Sequence, residues 1–256
     1  MKRILALAVA AAVLAGFGLS SRGDDAQPAG WGTVKGRIVW GGGSIPEPEK
    51  LKVDKDQAHC LSRGDILSEK WVINPKNKGV RWTFVWLAPL DKKGKLPIHP
   101  DLEKIKVKEV VVDQPCCKFE PHALGIRKGQ NLVAKNSGQV AHNVHWGGIK
   151  NPGNNVQLPA GQSLTIANLV PSDFPVEVKC DAHTWMKGWV RVFDHPYFAV
   201  TDADGNFEIK NAPAGKYRLV VWHEDGGWVN GRQGKEITIP AGKELDVGQI
   251  EAKPAK

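Results

Sequence analysis

After Gly30 the chain shows short runs of Val, Ile, Trp, Phe and Thr separated by Gly, Pro, Asn and Asp, and almost no 3.6-residue periodicity. The pattern predicts strands at Val34–Trp40, Val80–Leu87, Lys106–Val112, Asn131–Lys135 and His142–Trp146. Further strands follow at Ser163–Ala167, Val176–Cys180, Gly188–Phe193, Phe207–Lys210, Tyr217–Trp222 and Glu236–Ile239. Turn chemistry punctuates them at Gly41–Gly43, Pro75–Gly79, Asn136–Gly138, Pro159–Gly161, Asp202–Asn206 and Pro213–Gly215. Many short strands with this spacing predict an all-β chain built as sandwiches or small barrels. Short helices are expected only near Asp54–Ser62 or Pro100–Lys104.

The start of the chain follows a different pattern. Lys2 and Arg3 precede an apolar, Ala-rich run, Ile4 to Leu19, with small residues at Gly18, Ser20 and Ser21. It reads as an export signal over residues 1–21, followed by a polar linker over 22–30. The mature protein is therefore expected in the periplasm or outside the cell, with no membrane span after signal removal. The remainder divides near His195-Pro196. This gives a central domain over 113–195, a C-terminal module over 196–256, and a segment over 31–112 that completes either one.

Composition narrows the function classes. The chain has 256 residues, ten Trp and a net charge of +8, and its Lys and Arg are scattered without a basic block, which argues against nucleic acid as a partner. No Gly-x-Ser-x-Gly motif or phosphate-binding Gly loop is present.

The chemistry concentrates in Val176–Val190. Strict alternation up to Cys180 sends that sulfur inward, and His183 and Met186 follow at intervals of three. Thiolate, imidazole and thioether form a soft ligand set suited to copper. A trigonal site of two imidazoles and one thiolate, with a weak axial Met, needs one more His. Asn136–Trp146 offers His142, which shares a face with Val144 and Trp146, and His145, which shares one with Asn143. His142 is preferred for its apolar company. Met186 is the only Met besides Met1.

These two segments resemble the mononuclear blue copper proteins, the cupredoxins. The Cys180-x2-His183-x2-Met186 spacing and the Asn136-x5-His-Asn-Val-His145 phrase are similar to the short-loop amicyanin type and to cupredoxin-like proteins of methylamine utilisation. The resemblance implies a Greek-key β-sandwich with one copper ion on His142, Cys180, His183 and Met186. It implies Asn143 as the residue holding the ligand loop, His183 as the edge for electron entry, and Trp185 as part of an apolar docking patch. A redox protein such as a c-type cytochrome is the expected partner. Four protein ligands leave no open coordination position, so a carrier of single electrons is expected and not an enzyme. The alternative is an extracytoplasmic copper-, carbohydrate- or protein-binding module without redox turnover.

Thr201-Asp-x-x-Gly205 and Pro213-x-Gly-x-Tyr217 resemble a carboxypeptidase regulatory-like module of the kind that accompanies rhamnogalacturonan lyases, which implies a smaller Ig/transthyretin-like β-sandwich. With Cys180 on the metal, three cysteines remain. Cys60 is expected to pair with Cys116 or Cys117, tying the N-terminal segment to the copper domain.

Overall fold

The computed structural model describes residues 30–91 and 93–255. The predicted leader, 1–21, and all of the linker except Gly30 lie outside the described residues. Among the described residues no helix is long and apolar enough to cross a membrane. The chain is nearly all β, in two sandwiches that share one polypeptide in an unequal way.

One sandwich, named the metal sandwich for the candidate ligands His142, Cys180, His183 and Met186 that it carries, is continuous in sequence. One sheet has the order β3 (Glu109–Asp113), β5 (Asn131–Lys135), β8 (Ser163–Ile166). The other has the order β4 (Ala123–Arg127), β10 (Lys187–Phe193), β9 (Val176–Lys179), β6 (His142–Gly147), β7 (Asn154–Leu158). The pairs β3/β5 and β4/β10 are parallel and the rest antiparallel, because the chain alternates between the sheets along this stretch. Inward positions such as Leu132, Ala134, Val144, Val176, Val178 and Val190 fill the space between the sheets. The sandwich starts at Glu109, so β3 comes out of the segment that the sequence left unassigned.

The second sandwich is discontinuous. Its first sheet has the order β12 (Asn206–Pro213), β1 (Trp31–Trp40), β16 (Glu244–Ala252). Its second has the order β11 (Phe198–Val200), β2 (Phe84–Ala88), β13 (Gly215–His223), β14 (Gly227–Trp228), with β15 (Lys235–Ile239) also on β13. Thus β1 and β2 belong with the C-terminal strands. Val34, Ile38, Leu87, Tyr197, Ile209, Leu219 and Val221 form its core.

The two sandwiches meet across a third cluster that is mainly aromatic. Phe84, Trp86, Val220 and Trp222 come from one side, Ala123 and Phe193 from the other, with Trp189 and Trp228 packed against them. Trp189 meets Trp222 edge-on at 5.4 Å and Trp86 meets Phe193 at 5.9 Å. Several of the ten Trp are therefore consumed at this junction.

The stretch between β1 and β2 crosses over to the metal sandwich. Its loop closes at the base through Leu51 N–H to Ile66 O (2.9 Å) and Ser68 N–H to Glu49 O (2.8 Å). It buries Val53, Cys60 and Ile66 in the metal sandwich core, and Cys60 lies on the single-turn helix α1 (Gln57–Cys60). A disulfide joins Cys60 to Cys117, with 5.3 Å between the Cα atoms. Cys116 stays a free, buried thiol that donates to His59 O at 3.6 Å. The chain then returns, stacking Trp71 on His223 at 3.9 Å. A second helical turn, α2 (Pro100–Glu103), follows β2.

His195 and His223 are 9% and 1% exposed, and burial pushes each down to about 4. In each ring Nδ1 accepts a backbone N–H, from Tyr197 at 3.1 Å or from Asp225 and Gly226 at 3.2 Å, which suits the neutral form. Unfolded histidine titrates at about 6.5, so between that value and about 4 the unfolded chain holds more protons. Stability from these groups is present above pH ~6.5 and is lost as pH falls towards ~4. Urea midpoints of the metal-free protein should therefore decrease between pH ~7 and pH ~4.5, and a flat profile would contradict the neutral burial of both rings.

Candidate metal centre

Three strands and one loop build the site. β6 carries His142 and Asn143 at its start, β9 ends just before Cys180, and the turn Asp181–Met186 leads into β10. Ahead of β6, the buried Asn136 side chain donates to Val140 O and Leu158 O, both at 2.9 Å, and pins the approach to His142. Met186 closes the loop: its N–H donates to His183 O at 2.9 Å, and its carbonyl accepts from Cys180 N–H at 3.2 Å.

The loop and strand bring His142, Cys180, His183 and Met186 into one buried volume, each 1% exposed or less. Nδ1 of His142 lies 3.0 Å from Nδ1 of His183 and 4.0 Å from Cys180 Sγ, which is 3.6 Å from His183 Nδ1. A point in the plane of these three atoms lies about 2.1 Å from each, the metal–imidazole distance and about 0.2 Å short of a metal–thiolate bond. The donor set thus fits a trigonal metal. The Met186 side chain shares the apolar cluster that contains Cys180.

Burial, followed by the neighbouring His183 and His59, lowers His142 to about 4, so its ring is neutral and its lone pair available near pH ~7. Its Nε2 is buried without a partner among the described residues. His145 is instead on the surface, paired to Asp181 at 2.8 Å.

Asn143 holds the loop by direct contacts. Its Oδ1 accepts from Asp181 N–H at 2.9 Å, Ala182 N–H at 3.0 Å and the Cys180 thiol at 3.2 Å. Its own N–H points at Cys180 Sγ at 3.4 Å. Asn155 accepts from the Asn143 amide at 2.6 Å and donates to Asp181 at 2.8 Å; the sequence pattern of that strand, alternating but polar, gave no sign of this role.

Two expectations fail on the geometry. His183 is not a solvent-facing edge: its ring is 0% exposed, and its Nε2 lies 2.8 Å from Asp56 Oδ2. Trp185 is not an open docking patch either. It is half-buried, meets His183 edge-on at 5.2 Å, and donates from Nε1 to Cys117 O at 3.2 Å. His183 is covered because the loop that leaves β1 brings Asp56 over it, while Trp185 is held by His183 and the Cys117 carbonyl. Asp56 went unnoticed in the sequence; the one available hint was the expected tie from Cys60, four residues on.

Outside the site, His122 is buried against Glu224, whose other oxygen accepts from Trp189 Nε1 at 2.9 Å. Glu224 is held below the usual carboxylate range by His122 and Trp189, against the opposing effect of burial. This pair links the two sandwiches. Asp202 forms a hairpin turn, accepting from Asp204 N–H and Asn206 N–H.

Residues 181–247 match the family model of polysaccharide lyase family 4, domain II. This replaces the carboxypeptidase regulatory-like assignment, which rested on turn residues that small β-sandwiches share. No curated protein matches the chain. Among solved structures, a reduced amicyanin mutant is 22% identical, covering 33% of this chain and 82% of its own, with a TM-score of 0.30. An oxidised amicyanin mutant is 24% identical, covering 34% and 83%, with a TM-score of 0.31. A purple cupredoxin from Nitrosopumilus maritimus is 18% identical, covering 33% and 98%, with a TM-score of 0.28.

Replacing Asn143 with Ala strands the Asp181 and Ala182 amides. It should lower metal-free stability by about 1–3 kcal/mol, read from urea unfolding. A loss near zero would mean that the loop holds its shape without Asn143.

Proposed function

We propose that this protein carries single electrons on one copper ion held by His142, Cys180, His183 and Met186. The observation that carries the reading is the convergence of two imidazole nitrogens and one thiol sulfur, all buried, around a point equidistant from them. Soft donation from two nitrogens and one sulfur favours copper over hard cations, and a weakly placed thioether belongs with electron transfer. Bound copper would supply one-electron chemistry between Cu(I) and Cu(II).

The chain's own residues prepare for that chemistry. His142 arrives neutral, so no proton must leave it near pH ~7. Asn143 fixes the Cys180 sulfur with one N–H and fixes the loop with one carbonyl. The apolar cluster around Val144, Val178 and Met186 keeps water out. A site rigid in both oxidation states reorganises little, which suits rapid electron exchange. With the donors buried, a shuttle between redox proteins is favoured over an enzyme, and a c-type cytochrome is the kind of partner that it would serve. Such encounters use small interfaces, below about 1,200 Å².

The Cu(II)-loaded protein should be intensely coloured through thiolate-to-copper charge transfer. Cys180→Ser should abolish the band, while Met186→Leu should retain it with an altered reduction potential. A colourless protein at full copper occupancy refutes the assignment. Stopped-flow mixing of the reduced protein with envelope cytochromes c should restore the band; turnover of a small substrate with oxygen, without cytochrome exchange, would point to an oxidase.

A further inference from the structure

We infer that the segment Val53–Cys60 is a stapled strap that closes the metal site, with Asp56 as the positioning residue for His183. The inference builds on the copper reading above, but its main observations stand without metal. The strap departs from a sandwich to which its flanking strands β1 and β2 both belong, and it crosses to the other sandwich. There it buries Val53 and Cys60 in the metal sandwich core and is bonded to Cys117. The sulfurs of Cys60 and Cys117 and a ring nitrogen of His183 lie within 4.8 Å of one another, so the staple is set directly beside the candidate ligand.

Asp56 adopts an arrangement that its own helix does not ask for. It stands at the N-cap of α1, where an Asp side chain ordinarily accepts a backbone N–H from the first turn. Here it makes no such bond, and its backbone is left-handed, with φ 47° and ψ 37°. The carboxylate is turned to His183 Nε2 at 2.8 Å instead. A forgone cap and a sparsely populated backbone region are the kind of local cost that persists where the surroundings or the function require it.

The consequence for His183 is chemical. A carboxylate only accepts, so the proton of a neutral His183 resides on Nε2, and the Nδ1 lone pair faces Cys180 and His142. Asp56 thereby selects the ligating tautomer and fixes the ring plane, the role that carboxylates serve behind metal-bound imidazoles. It also takes the place of solvent at the ring edge. The Asp56 side chain is itself 37% exposed, so the outward path from the ring leads through the strap to the surface. A redox partner that approaches this face meets the strap and not a bare imidazole.

The test uses the full mature chain, first without metal. The rate at which iodoacetamide alkylates Cys180, resolved from Cys116 by peptide mapping, reports opening of the strap. Asp56→Asn should raise that rate several-fold, and Cys60→Ala/Cys117→Ala should raise it on the order of tenfold, as local opening becomes cheaper. Asp56→Glu should restore part of the closure. In the copper-loaded protein Asp56→Asn should raise the reduction potential, because a negative charge on the imidazole edge favours Cu(II) over Cu(I). Parental Cys180 reactivity in folded Asp56→Asn and in the cysteine pair variant overturns the strap. An unchanged potential in Asp56→Asn overturns the positioning role. If the parent protein binds no copper in a coloured site, the copper reading fails, while the alkylation rates still decide the strap.

Discussion

Closure of the metal site depends on one covalent tie across two folding units, the bond from Cys60 to Cys117. A loop between two strands of one sandwich would ordinarily stay on that sandwich. The tie instead holds residues 53–60 against the neighbour, where Val53 and Cys60 join its core. From that position follow the 0% exposure of His183 and the orientation of Asp56. The crosslink limits the freedom of the unfolded chain and so favours the closed arrangement without any new polar contact. The aromatic layer of Trp86, Phe193, Trp189 and Trp222 supplies the second tie. The His122–Glu224 pair adds a third, so the sandwiches are joined at several separate places.

Much of the candidate metal centre could be read from residues alone because its signals are local. Cys180, His183 and Met186 sit within seven residues, and alternation along Val176–Cys180 determines which way the sulfur points. His142 was separable from His145 by the apolar character of its face, and the structure buries the first and leaves the second paired to Asp181. What could not be read was how the loop around Asp56 packs over the site. The surface role given to His183 came from resemblance, and no residue near it announces a covering loop. Asp56 is one acidic residue in a polar stretch, with its partner 127 positions away.

The strands that went unrecognised share a physical cause. β16 carries Glu, Asp and Gln on its outer positions and a left-handed Gly248 in its middle, so alternation is weak and broken. β7 is polar except at Val156 and Leu158, and β4 contains Gly125, against which Phe198 packs too closely for a side chain. Each is held by its neighbours more than by its own residues. The opposite holds for β1 and β2, whose hydrophobic character was plain but whose sandwich was not. Pattern reports which face is buried and leaves open what buries it.

The split of the second sandwich has a bearing on the order in which the molecule can be assembled. Thr33 on β1 pairs with Glu244 on β16, in parallel, while the entire metal sandwich lies between them in the chain. As the chain is synthesised, residues 109–193 have all their strand partners before β1 has its first, β12, and well before it has its second, β16. The inserted sandwich can therefore serve as a finished body around which the outer one is wrapped, its ends bringing β2 and β11 together as neighbours. Such an order lowers the loop-closure cost of a pairing that otherwise spans most of the chain. Until β16 arrives, β1 lacks one of its two neighbours while carrying a buried-type face of Val34 and Ile38, the part of this protein most in need of shelter during synthesis.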